Sequence, residues 1–138
     1  MIKRILVTLT ALAASAFGQS GFAVIVSKSN PATHMPKAQL RRMVLGDMFS
    51  WPAGGKVLVV IATPGDPARG AMLKQICGMS ESDFGKYISQ KAFGGDSAAP
   101  KVLPSTAVVV KVVKLTPGGL GIVAASDADD SVKVLPVD

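Results

Sequence analysis

The chain has 138 residues and a formal net charge of +6, from 15 basic and nine acidic residues. This length suits one domain that buries about two-thirds of the surface exposed by its unfolded chain. The basic excess is modest and aromatic residues make up only 5% of the chain, which excludes the basic and aromatic surface typical of nucleic-acid-binding proteins.

The first 18 residues have the order of a secretory signal peptide. Lys3 and Arg4 precede the apolar run 5–13, and small residues follow up to Gly18. The apolar run is too short for a permanent membrane span. We therefore predict cleavage after Ala16 or Gly18, which leaves a periplasmic or secreted domain at 19–138 without stable membrane insertion. The mature net charge would fall to about +4 because two cations are lost.

The first half of this domain alternates strand, helix and strand. An apolar run from Gly21 predicts a buried strand that ends near Ser27. Pro36 suits the first turn of a helix whose apolar face consists of Leu40, Met43 and Val44. Its basic residues Lys37, Arg41 and Arg42 are expected to be solvated. After a loop rich in Pro and Gly, the run 57–62 predicts a second buried strand.

The second half begins with two predicted helices. Asp66 and Pro67 are the pair expected at an N-cap and first helical position, and this helix would reach Cys77. Ser80 predicts the cap of the next helix. The run STAVVVKVVKL fits a strand by its valine content and a short helix by its periodicity; we favour the helix. GIVAAS and SVKVLPV predict closing strands, so the whole pattern indicates an α/β fold.

Three residues with chemically versatile side chains have structural explanations. Cys77 is the only cysteine, so no intramolecular disulfide can form, and its apolar surroundings predict inert core packing. His34 has no other ligand-type residue at metal-site spacing, and Trp51 is expected to close the core. No nucleophile-base pair or Gly-rich phosphate motif is evident. We therefore expect a non-enzymatic protein without a metal or cofactor.

The segment 23–60 resembles the phosphate-type solute-binding proteins of ABC transporters, which have the type II periplasmic-binding-protein fold. A strand, an Asn-Pro turn at Asn30 and Pro31, a helix, a Leu-Gly motif that ends at Trp51 and a second strand follow in the family's order. The later run TPGGLGIV is similar to the family's Pro-Gly-x-x-Gly strand entry. The resemblance implies an α/β single lobe with a mixed sheet flanked by helices, since family members have two lobes and about twice the length.

The resemblance departs from the family at the stretch TPGDPARG. In the family, an Arg and a Ser-Gly-Thr turn after the second strand bind the oxyanion at a helix start, where the dipole and free N–H groups favour negative charge. This chain lacks the Ser-Gly-Thr, and Pro67 has no N–H to donate. As an N-cap, the Asp66 carboxylate would accept a hydrogen bond from a free N–H group at the helix start and stabilise the helix by about 1 kcal/mol. The sequence therefore favours a self-capped turn, although Asp66 with Arg69 could rebuild an oxyanion site in a different order.

Two functions are open from the sequence. The first is an exported solute-binding-like protein that binds a small oxyanion such as phosphate weakly and works with an ABC permease. Its predicted ligand-binding residues are Ser29, Asn30, Thr63, Gly65, Asp66 and Arg69. The second is a non-catalytic envelope interaction protein that kept the fold and lost ligand binding. Neither function involves nucleic acid.

Overall fold

A computed structural model describes residues 21–93 and 99–138, so the predicted signal peptide at 1–18 lies outside the described residues. Five strands form one sheet: β1 (Ala23–Val26), β2 (Leu58–Ala62), β3 (Lys101–Leu103), β4 (Gly119–Val123) and β5 (Lys133–Leu135). Their order across the sheet is β3-β2-β4-β1-β5. Because β1 is antiparallel to β4 and β5 whereas β2 is parallel to β3 and β4, the sheet is mixed as predicted.

The helices of the described residues connect these strands: α1 (Lys37–Val44), α2 (Pro67–Met72), α3 (Glu81–Phe93) and α4 (Thr106–Leu115). α2 continues into a π-helical turn over Leu73–Cys77, which ends at Gly78 in the left-handed conformation that glycine favours. A short 3₁₀ turn, Ala125–Asp127, follows β4. None of the helices in the described part of the chain is long and apolar enough to cross a membrane.

Helices cover both faces of the sheet. Alternate strand residues point to opposite faces, and on one face Val24, Ile61 and Ile122 pack in a core with residues of α1, α2 and α3. On the other face Ile25 and Val60 pack with the valines of α4. Every residue of β1 and β4 is buried, which explains why these strands read as continuous apolar runs rather than alternating ones.

Two helices begin at the capping residues predicted from the sequence, Asp66 and Ser80, and a third begins at Ser105, which was not predicted. Asp66 Oδ2 accepts a hydrogen bond from the Arg69 N–H at 3.0 Å, and Ser80 Oγ accepts one from the Asp83 N–H at 3.1 Å. At α4, Ser105 Oγ accepts one from the Val108 N–H at 3.3 Å. The N-caps at Asp66 and Ser80 and the helical interpretation of STAVVVKVVKL are therefore confirmed.

One strand was not predicted from the sequence. β3 has three residues, two of them exposed, and it lies between Pro100 and Pro104 at the edge of the sheet. Such a short run has no room for a period-two pattern, and prolines usually indicate loops. β3 forms only because β2 offers it a parallel partner, with Ile61 opposite Val102.

Candidate functional site

The Thr63–Arg69 loop, which follows β2 and includes the first residues of α2, provides its own hydrogen-bond acceptors for the N–H groups at the helix start. The Asp66 carboxylate caps α2 through the Arg69 N–H, and the Asp66 carbonyl accepts from the Gly70 N–H at 3.0 Å. Gly65 has a φ of +99°, which the turn requires and which glycine adopts without strain. The loop is thus a self-capped turn, as the sequence favoured. Its Thr63 and Gly65 are exposed to solvent.

The guanidinium of Arg69 points away from solvent into an internal cluster. Its Nε and Nη2 donate to the two carboxylate oxygens of Glu81, each at 2.8 Å, and Nη1 donates to the Ala62 carbonyl at 2.8 Å. The guanidinium carbon also lies 5.7 Å from the centroid of the Phe84 ring. Arg69 is only 5% exposed. It therefore joins the end of β2, α2 and the first turn of α3 through a bidentate ion pair.

A second group of predicted residues lies in the turn after β1. The Ser27 and Ser29 hydroxyls are 2.9 Å apart, and the Asn30 N–H donates to the Ser27 carbonyl at 3.0 Å. Asn30 Oδ1 accepts from the Ala32 N–H at 2.9 Å, an Asx turn that orients the side-chain amide. The Lys133 amine donates to the Asn30 carbonyl. Asn30 is thereby fixed in place and is only 6% exposed.

The structure separates the six predicted ligand-binding residues into two groups at opposite ends of the sheet. Val26, at the end of β1, pairs with Leu120, whereas Ala23, at its start, pairs with Val123. On the other side of β4, Val59 pairs with Leu120, so the end of β2 lies level with the start of β1. At about 3.3 Å per residue, at least about 10 Å of strand separates the two ends. Ser29 and Asn30 therefore do not share a site with Thr63, Gly65, Asp66 and Arg69.

The end of the sheet near Asn30 has a concave surface, which we call the Asn30 groove. It consists of two adjoining depressions of about 260 and 370 Å³ that share Asn30, Pro31 and Trp51 in their walls. Trp51 is 6% exposed, and its Nε1 donates to the Gly118 carbonyl at 3.0 Å. The prediction that Trp51 closes the core is confirmed, and the residue also lines this groove. The sequence could not reveal the groove, because Trp51 and Gly118 are far apart along the chain.

The remaining chemically versatile residues have structural partners. His34 Nδ1 lies 3.1 Å from a carboxylate oxygen of Asp138, and both side chains are exposed. Cys77 is buried, and burial raises the pKa of its thiol to about 11, against a smaller opposing effect of Arg41. Among the described residues, His, Cys, Asp and Glu side chains do not form a cluster of three or more that could hold a metal ion.

Comparison with known proteins finds similarity at the level of structure. The sequence matches neither a protein-family model nor a curated protein. The fold is similar to that of a phosphate ABC transporter substrate-binding protein from Clostridium perfringens solved with bound phosphate, with a TM-score of 0.69, 20% identity and 86% of this chain covered. It is also similar to an ABC-type phosphate transport receptor from Vibrio cholerae, with a TM-score of 0.58, 19% identity and 85% of this chain covered.

A third similar structure, PstS from Borrelia burgdorferi, has a TM-score of 0.64, 14% identity and 95% of this chain covered. The chain spans about half of these proteins, at 46%, 45% and 55% of the Vibrio, Clostridium and Borrelia chains. The predicted resemblance is thus confirmed for the fold. The described residues have the architecture of one lobe of a phosphate-binding-protein-like structure, and the similar structures from Vibrio and Clostridium are a phosphate transport receptor and a transporter substrate-binding protein.

Proposed function

We propose that this chain is an exported, non-catalytic lobe that acts by contact with another protein of the cell envelope and does not hold an oxyanion by itself. The observation that carries this proposal is that the Asp66 carboxylate caps α2 and the Arg69 guanidinium is paired with Glu81, so both groups already have partners within the chain. An ABC permease is one partner consistent with the fold. The signal peptide and the periplasmic or secreted location are part of the same proposal.

The electrostatics of the Thr63–Arg69 loop support this interpretation. Glu81 offsets the charge of Arg69, so the guanidinium offers no free positive charge to an anion. A phosphate at the start of α2 would lie beside the Asp66 carboxylate, and two unit charges about 4 Å apart repel by roughly 4 kcal/mol at an effective dielectric of 20. The attraction between an anion and the N-terminus of a helix is only about 0.3–1 kcal/mol. Repulsion therefore exceeds the attraction of the helix dipole.

The contact is testable by site-specific photo-crosslinking in intact cells. We place a photoreactive residue at Thr63, which is exposed at the loop end of the sheet, and a matched one at Gln90, which is exposed on α3. An envelope protein crosslinked from position 63 and not from position 90 would support the proposal. Equal crosslinking from both positions would contradict the proposal. The absence of any crosslinked protein from either position, together with a strictly monomeric chain, would also contradict it.

Weak binding of phosphate or sulfate is the second candidate function, and the exposure of Thr63 and Gly65 favours it. Calorimetric titration of the purified chain at low and physiological salt tests it, beside the double variant Asp66→Ser, Glu81→Gln. Serine preserves the cap without charge, and glutamine leaves Arg69 with a net positive charge. We expect no heat for the original chain and weak oxyanion binding for the double variant. Salt-resistant binding to the original chain would establish the second function instead.

A further inference from the structure

The Asn30 side chain leaves hydrogen-bonding capacity unused in a buried position. Its Oδ1 accepts from the Ala32 N–H, which fixes Nδ2 as the opposite atom of the amide. Among the residues that the structure describes, Nδ2 has no hydrogen-bond acceptor, although the side chain belongs to a residue that is only 6% exposed. A buried amide donor without a partner is costly. Asn30 lines both depressions of the groove, so an acceptor placed there would satisfy it.

The two depressions differ in chemistry. The first has a mainly apolar wall that includes Pro31, Pro36, Trp51 and Pro52, and its polar wall residues besides Asn30 are Thr33, His34 and Gln39. The second is lined by Lys56, an exposed basic residue for which the described residues provide no ion-pair partner. The described walls of the groove contain no carboxylate. A ligand that spans both depressions would therefore place an apolar part against the prolines and a negative acceptor near Asn30 and Lys56.

We propose that the Asn30 groove binds a carboxylate attached to an apolar body. The Asn30 amide donates to one carboxylate oxygen, Lys56 supplies the opposite charge, and the apolar body contacts the proline-lined depression beside Trp51. A free organic acid and the C-terminal residue of a peptide present this same chemistry. This site lies at the opposite end of the sheet from the Thr63–Arg69 loop, so it does not depend on the proposed function.

The chain itself supplies two specific reporters. Trp51 is its only tryptophan and Asn30 its only asparagine, so tryptophan fluorescence and the Asn30 side-chain amide signal in a ¹H–¹⁵N spectrum, once distinguished from the glutamine signals, both report on the groove. The probes are hexanoate, its neutral analogue hexanamide, inorganic phosphate, and the peptide acetyl-Gly-Ala-Leu with a free or an amidated C-terminus. We expect saturable shifts of both reporters with hexanoate or the free-acid peptide, and at least about tenfold weaker responses to the neutral analogues and phosphate.

Variants separate the site from nonspecific binding. Asn30→Asp keeps the acceptor for the Ala32 N–H but replaces the donor, and we expect it to weaken carboxylate binding at least about tenfold. Gln90→Glu makes the same amide-to-carboxylate change on the exposed surface of α3 and should change binding less than about twofold. Lys56→Gln, at an exposed position, should weaken binding about threefold or more and decides the question if Asn30→Asp does not fold.

The two ligand sources give different results. Binding of the free-acid peptide alone would indicate a C-terminal segment, whereas stronger binding of hexanoate would indicate a free organic acid; both support a carboxylate site. Equal responses to hexanoate and hexanamide would overturn the proposal. So would the absence of a saturable shift with any carboxylate, or unchanged binding in Asn30→Asp and Lys56→Gln.

Discussion

Arg69 and Glu81 form a bidentate ion pair in which Nε and Nη2 each lie 2.8 Å from one carboxylate oxygen. The Arg69 side chain is 6% exposed and the Glu81 side chain 35% exposed. Removal of one partner from a buried pair leaves the other charge uncompensated, which costs about 3–5 kcal/mol. Because Glu81 is partly solvated, we expect Glu81→Ala to lower the free energy of unfolding by about 3 kcal/mol, measured by urea denaturation.

Asp83→Ala is the matched control for this prediction. Asp83 lies in the same first turn of α3 and is exposed, so both variants remove one negative charge near the helix start. We expect a loss of about 0.5 kcal/mol for Asp83→Ala, the usual effect of a charge near a helix terminus. Equal losses in the two variants would mean that the ion pair with Arg69 contributes nothing beyond the helix dipole.

The cap of α2 gives a second prediction. Asp66 Oδ2 accepts from the Arg69 N–H, and alanine cannot replace this bond. We expect Asp66→Ala to lower the free energy of unfolding by about 1 kcal/mol, and Asp66→Ser to lower it by less than about 0.5 kcal/mol because serine is also a good N-cap. Chemical denaturation compares the two variants. A serine variant as unstable as the alanine variant would contradict a capping role for Asp66.

Much of the fold follows from local sequence signals. Capping residues such as Asp66 and Ser80 act on N–H groups three residues away, so their effects are visible in a short window of sequence. The buried strands β1 and β2 were predictable because both faces are covered and their residues are apolar throughout. The fold class was also predictable, since alternating strands and helices restrict the possible layers.

The candidate site could not be predicted to the same extent. The Arg69 side chain meets Glu81 across the π-helical turn that separates α2 from α3, and no local sequence pattern specifies how two helices pack. Likewise, a strand pattern does not reveal direction. β1 is antiparallel to β4, and this direction alone places Asn30 far from Thr63. Residues that follow two strands lie together only when the strands are parallel.

Close packing of β4 against α4 gives a third prediction. A Cβ added at Gly121 would lie 2.8 Å from the Val109 Cγ1 and 2.8 Å from the Val113 Cγ2. We expect Gly121→Ala to lower the free energy of unfolding by about 1–3 kcal/mol through overpacking. Gly85 lies inside α3 with no heavy atom within 4 Å of an added Cβ. Gly85→Ala should therefore stabilise the protein by about 0.5–1 kcal/mol. Thermal unfolding of both variants measures the contrast, and the same sign of change in both would contradict it.

Burial of Cys77 gives a prediction about reactivity and pH. The pKa of its thiol rises from 9.0 to about 11 because burial disfavours the thiolate. Since the thiolate is the reactive form, the native chain should react with a disulfide reagent at pH 8 at least about 100-fold more slowly than the chain in urea. Cys77→Ala removes the signal and is the control for the reagent. A native rate equal to the rate in urea would show that the thiol is accessible and ionised.

The same shift in pKa sets the sign of a pH effect on stability. A raised pKa in the folded state means that the neutral thiol stabilises the fold, and this contribution is fully present below about pH 9. Above that value the unfolded chain gains a thiolate that the folded chain does not, so the contribution declines as the pH rises towards 11. The difference in unfolding free energy between the original chain and Cys77→Ala should therefore stay constant from about pH 6 to 8.5. Above that range, the unfolding free energy of the original chain should fall relative to that of Cys77→Ala. Urea denaturation of both proteins at pH 7 and 10.5 measures this change, and a difference that stays the same at both values would contradict a buried, neutral Cys77.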